Sequence, residues 1–492
     1  MGFNVCPRFT KESNMANPLA QDLDALRQAL EKTADLGPYA QAFHLTPPVG
    51  WLNDPNGLSQ LGDTYHAYFQ YSPFNPEGGV KMWGHSTSHD MVRWDYDGAA
   101  LYPDQPFDVG GVYSGSAYVE DGTMHVFYTG NVKLEDSEGY DYVNSGREAN
   151  TVHVSSADGA HFGPKKPVLK NEDYPDDDTN HVRDPKVWRE GDMYYMVQGA
   201  RKKDDTGEVI LFVSKDLESW TLVNRITSDE PFGYMWECPD YFELADTARG
   251  GVVKVLSVSP QGLRGEDWDR RNVYQSGYFI LQGDVQGDCQ LSGFALWDAG
   301  FDFYAPQTFE TNDGRRVLIG WMGMPDEKTY TNLTLESGWQ HCFTVPREVT
   351  SRWGRVLQWP IRELENYRGE LHRGFEELTV EDAKCFDLMV YGKLPLEKLD
   401  TTIADDLHLT WDGERFEMRF ADTEKSGVGA GRVSRFEPLD ELRNVRVVGD
   451  VSSIEVFVND GELTFSTRYY PKTYGVKVEA PACDVRLWEL DF

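Results

Sequence analysis

A short pattern recurs three times in the first half of this chain: Ser88-x-Asp90-x3-Trp94, Ser156-x-Asp158-x3-Phe162 and Ser214-x-Asp216-x3-Trp220. Each copy follows a run that reads as a strand, and successive copies lie roughly 60 residues apart, a period suited to a four-stranded sheet with generous loops. A series of such sheets suits the blades of a propeller. Serine and aspartate two apart are also generic turn formers, so three degenerate copies equally fit unrelated turns. The surrounding sequence is β-rich throughout. Thr64–Tyr71, Thr123–Thr129, Met193–Gly199, Val209–Val213 and Val317–Met322 read as strands between Gly, Asp, Asn and Pro turns.

Helical periodicity is confined to residues 18–36, where Leu19, Leu23, Leu26 and Leu30 fall at three-to-four spacing before Gly37-Pro38. The character changes again between about 346 and 367. Residues 368–492 alternate apolar and polar, as in Ser453-Ile454-Glu455-Val456-Phe457-Val458. That run closes on the hairpin signal Asn459-Asp460-Gly461, which predicts a sandwich. A chain of 492 residues exceeds one ordinary core, so two domains are expected.

The net charge of −34 argues against nucleic acid and against an anionic membrane surface, and it is compatible with a neutral substrate. The cysteines (Cys6, Cys238, Cys289, Cys342, Cys385, Cys483) are scattered with no CxxC, which predicts free thiols in a reducing compartment. With no apolar leader segment and no long apolar run, a cytoplasmic protein is expected. Met15 offers an alternative start, because residues 1–14 carry no evident structural signal.

With 81 acidic residues, context must sort the carboxylates. Three stand apart. Asp54 lies in Trp51-Leu52-Asn53-Asp54-Pro55-Asn56-Gly57, strong turn chemistry that would clamp its side chain. Asp184 lies in His181-Val182-Arg183-Asp184-Pro185-Lys186, where Arg183 is expected to hold it ionised. Glu237 lies in Met235-Trp236-Glu237-Cys238-Pro239-Asp240, an apolar setting that would raise its pKa. Each has a bland counterpart: a tight turn, a surface ion pair, a structural glutamate bonded to arginine. An ionised carboxylate and a protonated one together suit glycoside hydrolysis.

Other signals are weaker. His85 and His89 read as strand-face histidines, because no third ligand follows at suitable spacing. The run Asp176-Asp177-Asp178 reads as a solvated charge run and lacks the alternation of a calcium loop. Cys238, with no histidine constellation, reads as part of the environment of Glu237. No metal and no cofactor are expected.

The three boxes, in this order, resemble the signature boxes of glycoside hydrolase family 32, the β-fructofuranosidases. The resemblance extends to Gln70, Trp83-Gly84-His85, Tyr113-Ser114-Gly115-Ser116, Asp302–Gln307, Gly320-Trp321-Met322, Thr344–Glu348 and Glu455–Asn459. It implies an all-β fold, a five-bladed β-propeller followed by a C-terminal β-sandwich. The division it implies is an N-terminal extension with a helix (1–39), a catalytic propeller (40–360), a linker (361–367) and a sandwich (368–492). By the resemblance Asp54 is the nucleophile, Glu237 the acid/base and Asp184 the transition-state stabiliser. Two-step displacement then implies retention, with acid and nucleophile roughly 5–5.5 Å apart. Asn53, Gln70, Trp83, Tyr113, Ser114, Arg183, Asp240, Tyr304 and Trp321 are similar to pocket residues of the family. The substrate implied is a small sugar: sucrose and short fructo-oligosaccharides, or sucrose-6-phosphate, to which the run Trp339-Gln340-His341-Cys342-Phe343 points. The rival reading is a sugar-binding propeller without activity.

Overall fold

The computed structural model describes residues 18–135, 140–263 and 271–492; Cys6 and the stretch 1–14 with its neighbour Met15 lie outside them. Five antiparallel sheets follow one another. Blade I is Gly50–Leu61, Thr64–Ser72, Met82–Ser88 and Asp95–Leu101. Blade II is Gly111–Glu120, Thr123–Lys133, Arg147–Ser156 and Lys166–Leu169. Blade III is Asp178–Glu190, Met193–Lys202, Gly207–Ser214 and Thr221–Ile226. Blade IV is Met235–Ala245, Val252–Gln261 and Gly277–Gly283, edged by Cys289–Leu291. Blade V is Tyr304–Glu310, Arg316–Met322, Arg347–Arg352 and Arg355–Pro360. The first strand of each blade contacts the first strands of its two neighbours, and I meets V, so these strands surround the axis.

The recurring Ser-x-Asp pattern is the corner after the third strand of blades I, II and III. In blade I, Ser88 Oγ accepts the amides of Asp90 and Met91 (3.1 and 2.8 Å), and Asp90 Oδ1 accepts those of Val92 and Arg93 (both 2.9 Å). Ser156 with Asp158 and Ser214 with Asp216 repeat these bonds. The residue after each aspartate, Met91, Gly159 or Leu217, has φ between 61° and 75°. The ring closes through residues 339–343. Trp339–Gln340 pairs in parallel with Gly50–Trp51 of blade I, and Cys342–Phe343 pairs with Trp321–Met322 of blade V. His341 makes the switch between them at φ 75°.

After the 3-10 turn Arg362–Tyr367, the chain forms a sandwich. Its two longest strands, Arg368–Glu381 and Gly475–Leu490, pair along their length and pass through both layers. Val476–Glu479 pairs with Leu399–Ile403's sheet, and Cys483–Glu489 pairs with Phe386–Gly392. Leu388, Leu407, Phe416, Val456, Phe465 and Leu487 fill the core. The hairpin at Asn459-Asp460-Gly461 takes positive φ at all three residues, as its sequence demands.

Three expectations change. The helix runs only Pro18–Glu31, and three of its four leucines, Leu19, Leu26 and Leu30, are exposed, with Leu23 half-buried. It is held by its polar face, where Asp24 accepts from Tyr102 (2.6 Å), Glu31 from Tyr71 and Tyr96 (3.0 and 2.7 Å), and Arg27 is buried among them. The strand Ser453–Val458 has no solvent face; Ile454, Val456 and Val458 enter the sandwich core, while Phe457 and Glu455 face the propeller. Asp178 is not a solvated charge but buried, with Arg225 reaching it, Asp177 and Glu208.

Candidate active site

All five innermost strands break register at the same level. The irregularities fall between Leu52 and Pro55, Val112 and Gly115, Arg183 and Lys186, Glu237 and Asp240, and Tyr304 and Gln307. A bulge bends its strand and re-aims a side chain. Proline, which has no amide to give a ladder, is tolerated there. It lies inside the bulge in three blades, as Pro185, Pro239 and Pro306, and in blade I Pro55 is the first residue back in register. Blade II uses Gly115 instead, whose Cβ would lie 1.9 Å from the Phe127 carbonyl. Asp184, Cys238 and Ala305 adopt φ of 64°, 47° and 48° at these points. The segment around Asp54 is therefore not a turn between strands, as its chemistry suggested, but a bulged strand; the residues that favour turns also favour bulges.

The bulges turn the three carboxylates toward one another. Asp54 Oδ2 accepts from Ser114 Oγ (2.5 Å), and Oδ1 accepts from Asn53 Nδ2 (3.0 Å). Asn53 Oδ1 in turn receives Lys81 Nζ (2.8 Å) and Trp51 Nε1 (2.7 Å). Gln70 Nε2 donates to Ser114 Oγ. Asp184 Oδ2 accepts the Cys238 amide (2.9 Å), and the Cys238 thiol lies 3.6 Å from Asp184 Oδ2 and 3.7 Å from Asp54 Oδ2. Glu237 Oε1 takes a fork from Arg183 Nε (3.1 Å) and Nη2 (2.7 Å), while Oε2 accepts from Tyr304 Oη (2.6 Å) and Gln261 Nε2 (2.8 Å).

Comparison with known proteins agrees with this geometry. The model of the glycosyl hydrolases family 32 N-terminal domain matches residues 44–360, and that of the family 32 C-terminal domain matches residues 401–488. The chain belongs to glycosyl hydrolases family 32. It is 36% identical to the sucrose-6-phosphate hydrolase of Bacillus subtilis, over 96% of this chain and 99% of that one. It is 37% identical to the raffinose invertase of Escherichia coli, over 96% and 100%. Among solved structures, the sucrose-6-phosphate hydrolase from Lactobacillus gasseri superposes with TM-score 0.83 at 27% identity, over 96% and 97%. The GH32 β-fructofuranosidase of Bombyx mori does so at 0.82 and 28%, over 96% and 98%. This family 32 member is thus a glycoside hydrolase.

In the family 32 site, Asp184 runs opposite to expectation. Arg183 was expected to hold Asp184 ionised, but its guanidinium forks onto Glu237 and lies 3.9 Å from Asp184. Burial instead pushes Asp184 up to about 7; Arg183 opposes this, and Glu237 and Asp54 add to it. Burial also raises Asp54, with the Ser114 and Asn53 hydrogen bonds opposing. Glu237 is not in apolar surroundings, since arginine, tyrosine and glutamine all bond its carboxyl. Likewise the Cys238 thiol faces Asp54 and Asp184, not Glu237.

The other expected residues divide. Asn53, Gln70 and Ser114 form one hydrogen-bonded wall with Asp54. Tyr113 is half-buried beside them, its ring 5.9 Å from the Arg147 guanidinium. Trp83 is fully buried and gives its indole N–H to the Tyr113 carbonyl (3.0 Å), so it buttresses the wall from behind. Trp321 is buried against His341, Trp51 and Tyr304, with its indole nitrogen unpartnered. Asp240 is a correction. It is 0% exposed, past the bulge, where it accepts the Thr308 amide (2.7 Å) and hydroxyl (2.8 Å) and pairs with Lys186 (3.3 Å). Side chains alternate along a strand, and the bulge after Glu237 sends Asp240 between blades instead of into the pocket.

Lys81, Arg147, His181 and Gln261 went unnoticed in the sequence. Lys81 lies over the Trp51 ring (4.9 Å), and burial lowers it to about 7 against the pull of Asp54. Lys81 and Gln261 carry no local signal. His181 carried one: two residues before Arg183 on a strand, it shares that residue's face.

Proposed function

We propose that this chain is a retaining β-fructofuranosidase that releases the terminal β-D-fructosyl unit of sucrose and short fructo-oligosaccharides. Asp54 attacks the anomeric carbon, and its hydrogen bonds from Ser114 and Asn53 fix its direction of approach. Glu237 protonates the leaving oxygen and then activates water at the covalent intermediate. Asp184 hydrogen-bonds fructose hydroxyls. Catalysis is assigned to residues 40–360 and support to 368–492, in a cytoplasmic protein. The observation that carries the reading is the convergence of three carboxylates at bulges of blades I, III and IV, two of them joined by the Cys238 thiol.

Sucrose-6-phosphate hydrolysis is the second reading. It is favoured by the cations gathered on this side of the ring, Lys81, Arg147 and Arg183, in a chain of net charge −34. It is also supported by the names of several relatives. One experiment tests both: kcat/KM on sucrose, sucrose-6-phosphate, kestose, raffinose and inulin, with NMR of the first-formed anomer. Sucrose preferred, with β-fructose released first, is expected. A preference for sucrose-6-phosphate of tenfold or more, about 1.4 kcal/mol, selects the second reading. No release from any substrate rejects both.

A further inference from the structure

His181 occupies an unusual position for a titratable group. It sits two residues before Arg183 on the innermost strand of blade III, and its Nδ1 lies 2.8 Å from Arg183 Nη1. A guanidinium only donates, so Nδ1 is an acceptor and the ring proton is on Nε2. A second guanidinium closes the other side: Arg147 Nη1 is 3.3 and 3.4 Å from the two ring nitrogens. Arg147 is itself held by Asn131 Oδ1 (2.8 Å), and the Tyr142 ring stands edge-on to the imidazole at 5.4 Å. Burial, Arg183, Arg147 and Arg201 all push the ring toward the neutral form.

The bond His181 accepts has a directional consequence. A guanidinium is planar, and fixing one nitrogen fixes the other two. With Nη1 committed to His181, the Nε and Nη2 protons of Arg183 both point at Glu237 Oε1. We propose that His181 is a positioning residue for the reaction: an acceptor that holds the Arg183 fork on Glu237 and so governs how Glu237 gives its proton. The proposal rests on reading Glu237 as the acid/base. The other groups facing Glu237 are Asp184 from the same blade as Arg183, Tyr304 from blade V, Asp54 from blade I, and Gln261 and Cys238 from its own blade. None of them takes a bond from His181 or Arg147.

The test compares His181→Leu, which removes the acceptor, with His181→Gln, which keeps a neutral one. Each is assayed from pH 4 to 9 on sucrose and on an aryl β-fructofuranoside whose phenolate departs without a proton. His181→Leu should move the alkaline limb of kcat/KM for sucrose upward, by roughly half a unit or more, because a loosened Arg183 favours the carboxylate less. It should cost about 10- to 100-fold on sucrose and clearly less on the aryl substrate, the signature of impaired proton donation. His181→Gln should recover most of the activity and the original limb. An unmoved limb in folded His181→Leu, or equal losses on both substrates, overturns the proposal. If His181→Leu does not fold, His181→Asn carries the test: its shorter acceptor should give an intermediate shift, and a wild-type profile overturns the proposal. Glu237→Gln on the same two substrates keeps the underlying reading separate, since equal losses there reject Glu237 as the acid, whatever His181 does.

Discussion

Cys238 has a left-handed backbone, which a non-glycine residue adopts only where its surroundings over-determine it. Here the surroundings are two carboxylates, Asp184 buried and Asp54 half-buried. Asp184 Oδ2 takes both the Cys238 amide and the approach of its thiol, and Asp54 Oδ2 lies 3.7 Å from the same sulfur. Burial among acidic groups pushes the thiol well up, so it stays protonated and can only favour the ionised carboxylates beside it. Cys238→Ala should therefore move the acidic limb of kcat/KM upward by a few tenths of a unit and lower kcat by about 2- to 10-fold. Cys238→Ser should recover part of both. A pH titration of kcat/KM for the three proteins checks this, and an unmoved acidic limb counts against a role for the thiol.

The strand is the unit that delivers these side chains. Every innermost strand carries its bulge at one level, so the local break in pairing must survive for the ring of side chains to meet. Gly115 is the most exposed to failure, because a Cβ there would strike the Phe127 carbonyl at 1.9 Å and the Tyr128 Cα at 2.6 Å. Gly115→Ala should cost about 1–3 kcal/mol, the overpacking range, and lower activity further by moving Ser114 away from Asp54. Thermal melts and kcat/KM measured together separate the two effects. The N-terminal helix makes the contrasting case. Arg27→Ala removes the buried cation that joins Asp24 and Glu31, leaving the two tyrosine-bonded carboxylates to repel each other. Limited proteolysis should then cut within residues 18–36 much faster than in wild type, while sucrose turnover stays near normal.

These elements also show what could be read in advance. Asp54, Asp184 and Glu237 were legible because each lies beside an X-Pro pair in a β-rich run, and a bulge writes itself locally. The corners after the third strands of blades I to III were legible for the same reason: a serine and an aspartate satisfy four amides within six residues. The partner of Arg183 was not, because Glu237 is 54 positions away and belongs to another blade. Asp240 was misplaced because one extra residue in a bulge changes which face the next side chain takes. The helix leucines show that periodicity reveals a face without revealing which face docks.

At the scale of the whole molecule, one buried network joins the segment entering the propeller to both modules. His44 Nδ1 meets Asp450 Oδ2 (2.8 Å), and Nε2 meets Glu455 Oε1 (2.9 Å). Glu455 also takes Arg347 (2.6 Å), which reaches Asp298 (3.1 Å). Burial works against a charge on His44, but the hydrogen bonds to Asp450 and Glu455 outweigh it and raise the group to about 9 from 6.5. Its contribution to stability is therefore fully present below pH 6.5 and is lost as pH rises through 9. Lys81 acts in the opposite sense: lowered from 10.5 to about 7, it favours the folded state more as pH rises between those values. The clean measurement is thus the difference in Tm between wild type and His44→Gln, expected to be largest near pH 6 and to shrink by pH 10. A constant difference would remove His44 as the titrating group.

The same network has a consequence in time. His44 precedes its partners by 406 and 411 residues in the chain. At ordinary synthesis rates of about 5–20 residues per second, roughly 20–80 s separate its emergence from theirs. Through that interval the entering segment has no carboxylate to receive it, and for its earlier part, until Trp339–Gln340 emerges, the edge of blade I stays open as well. A nascent chain therefore carries its entering segment unlatched until Asp450 and Glu455 arrive to lock it.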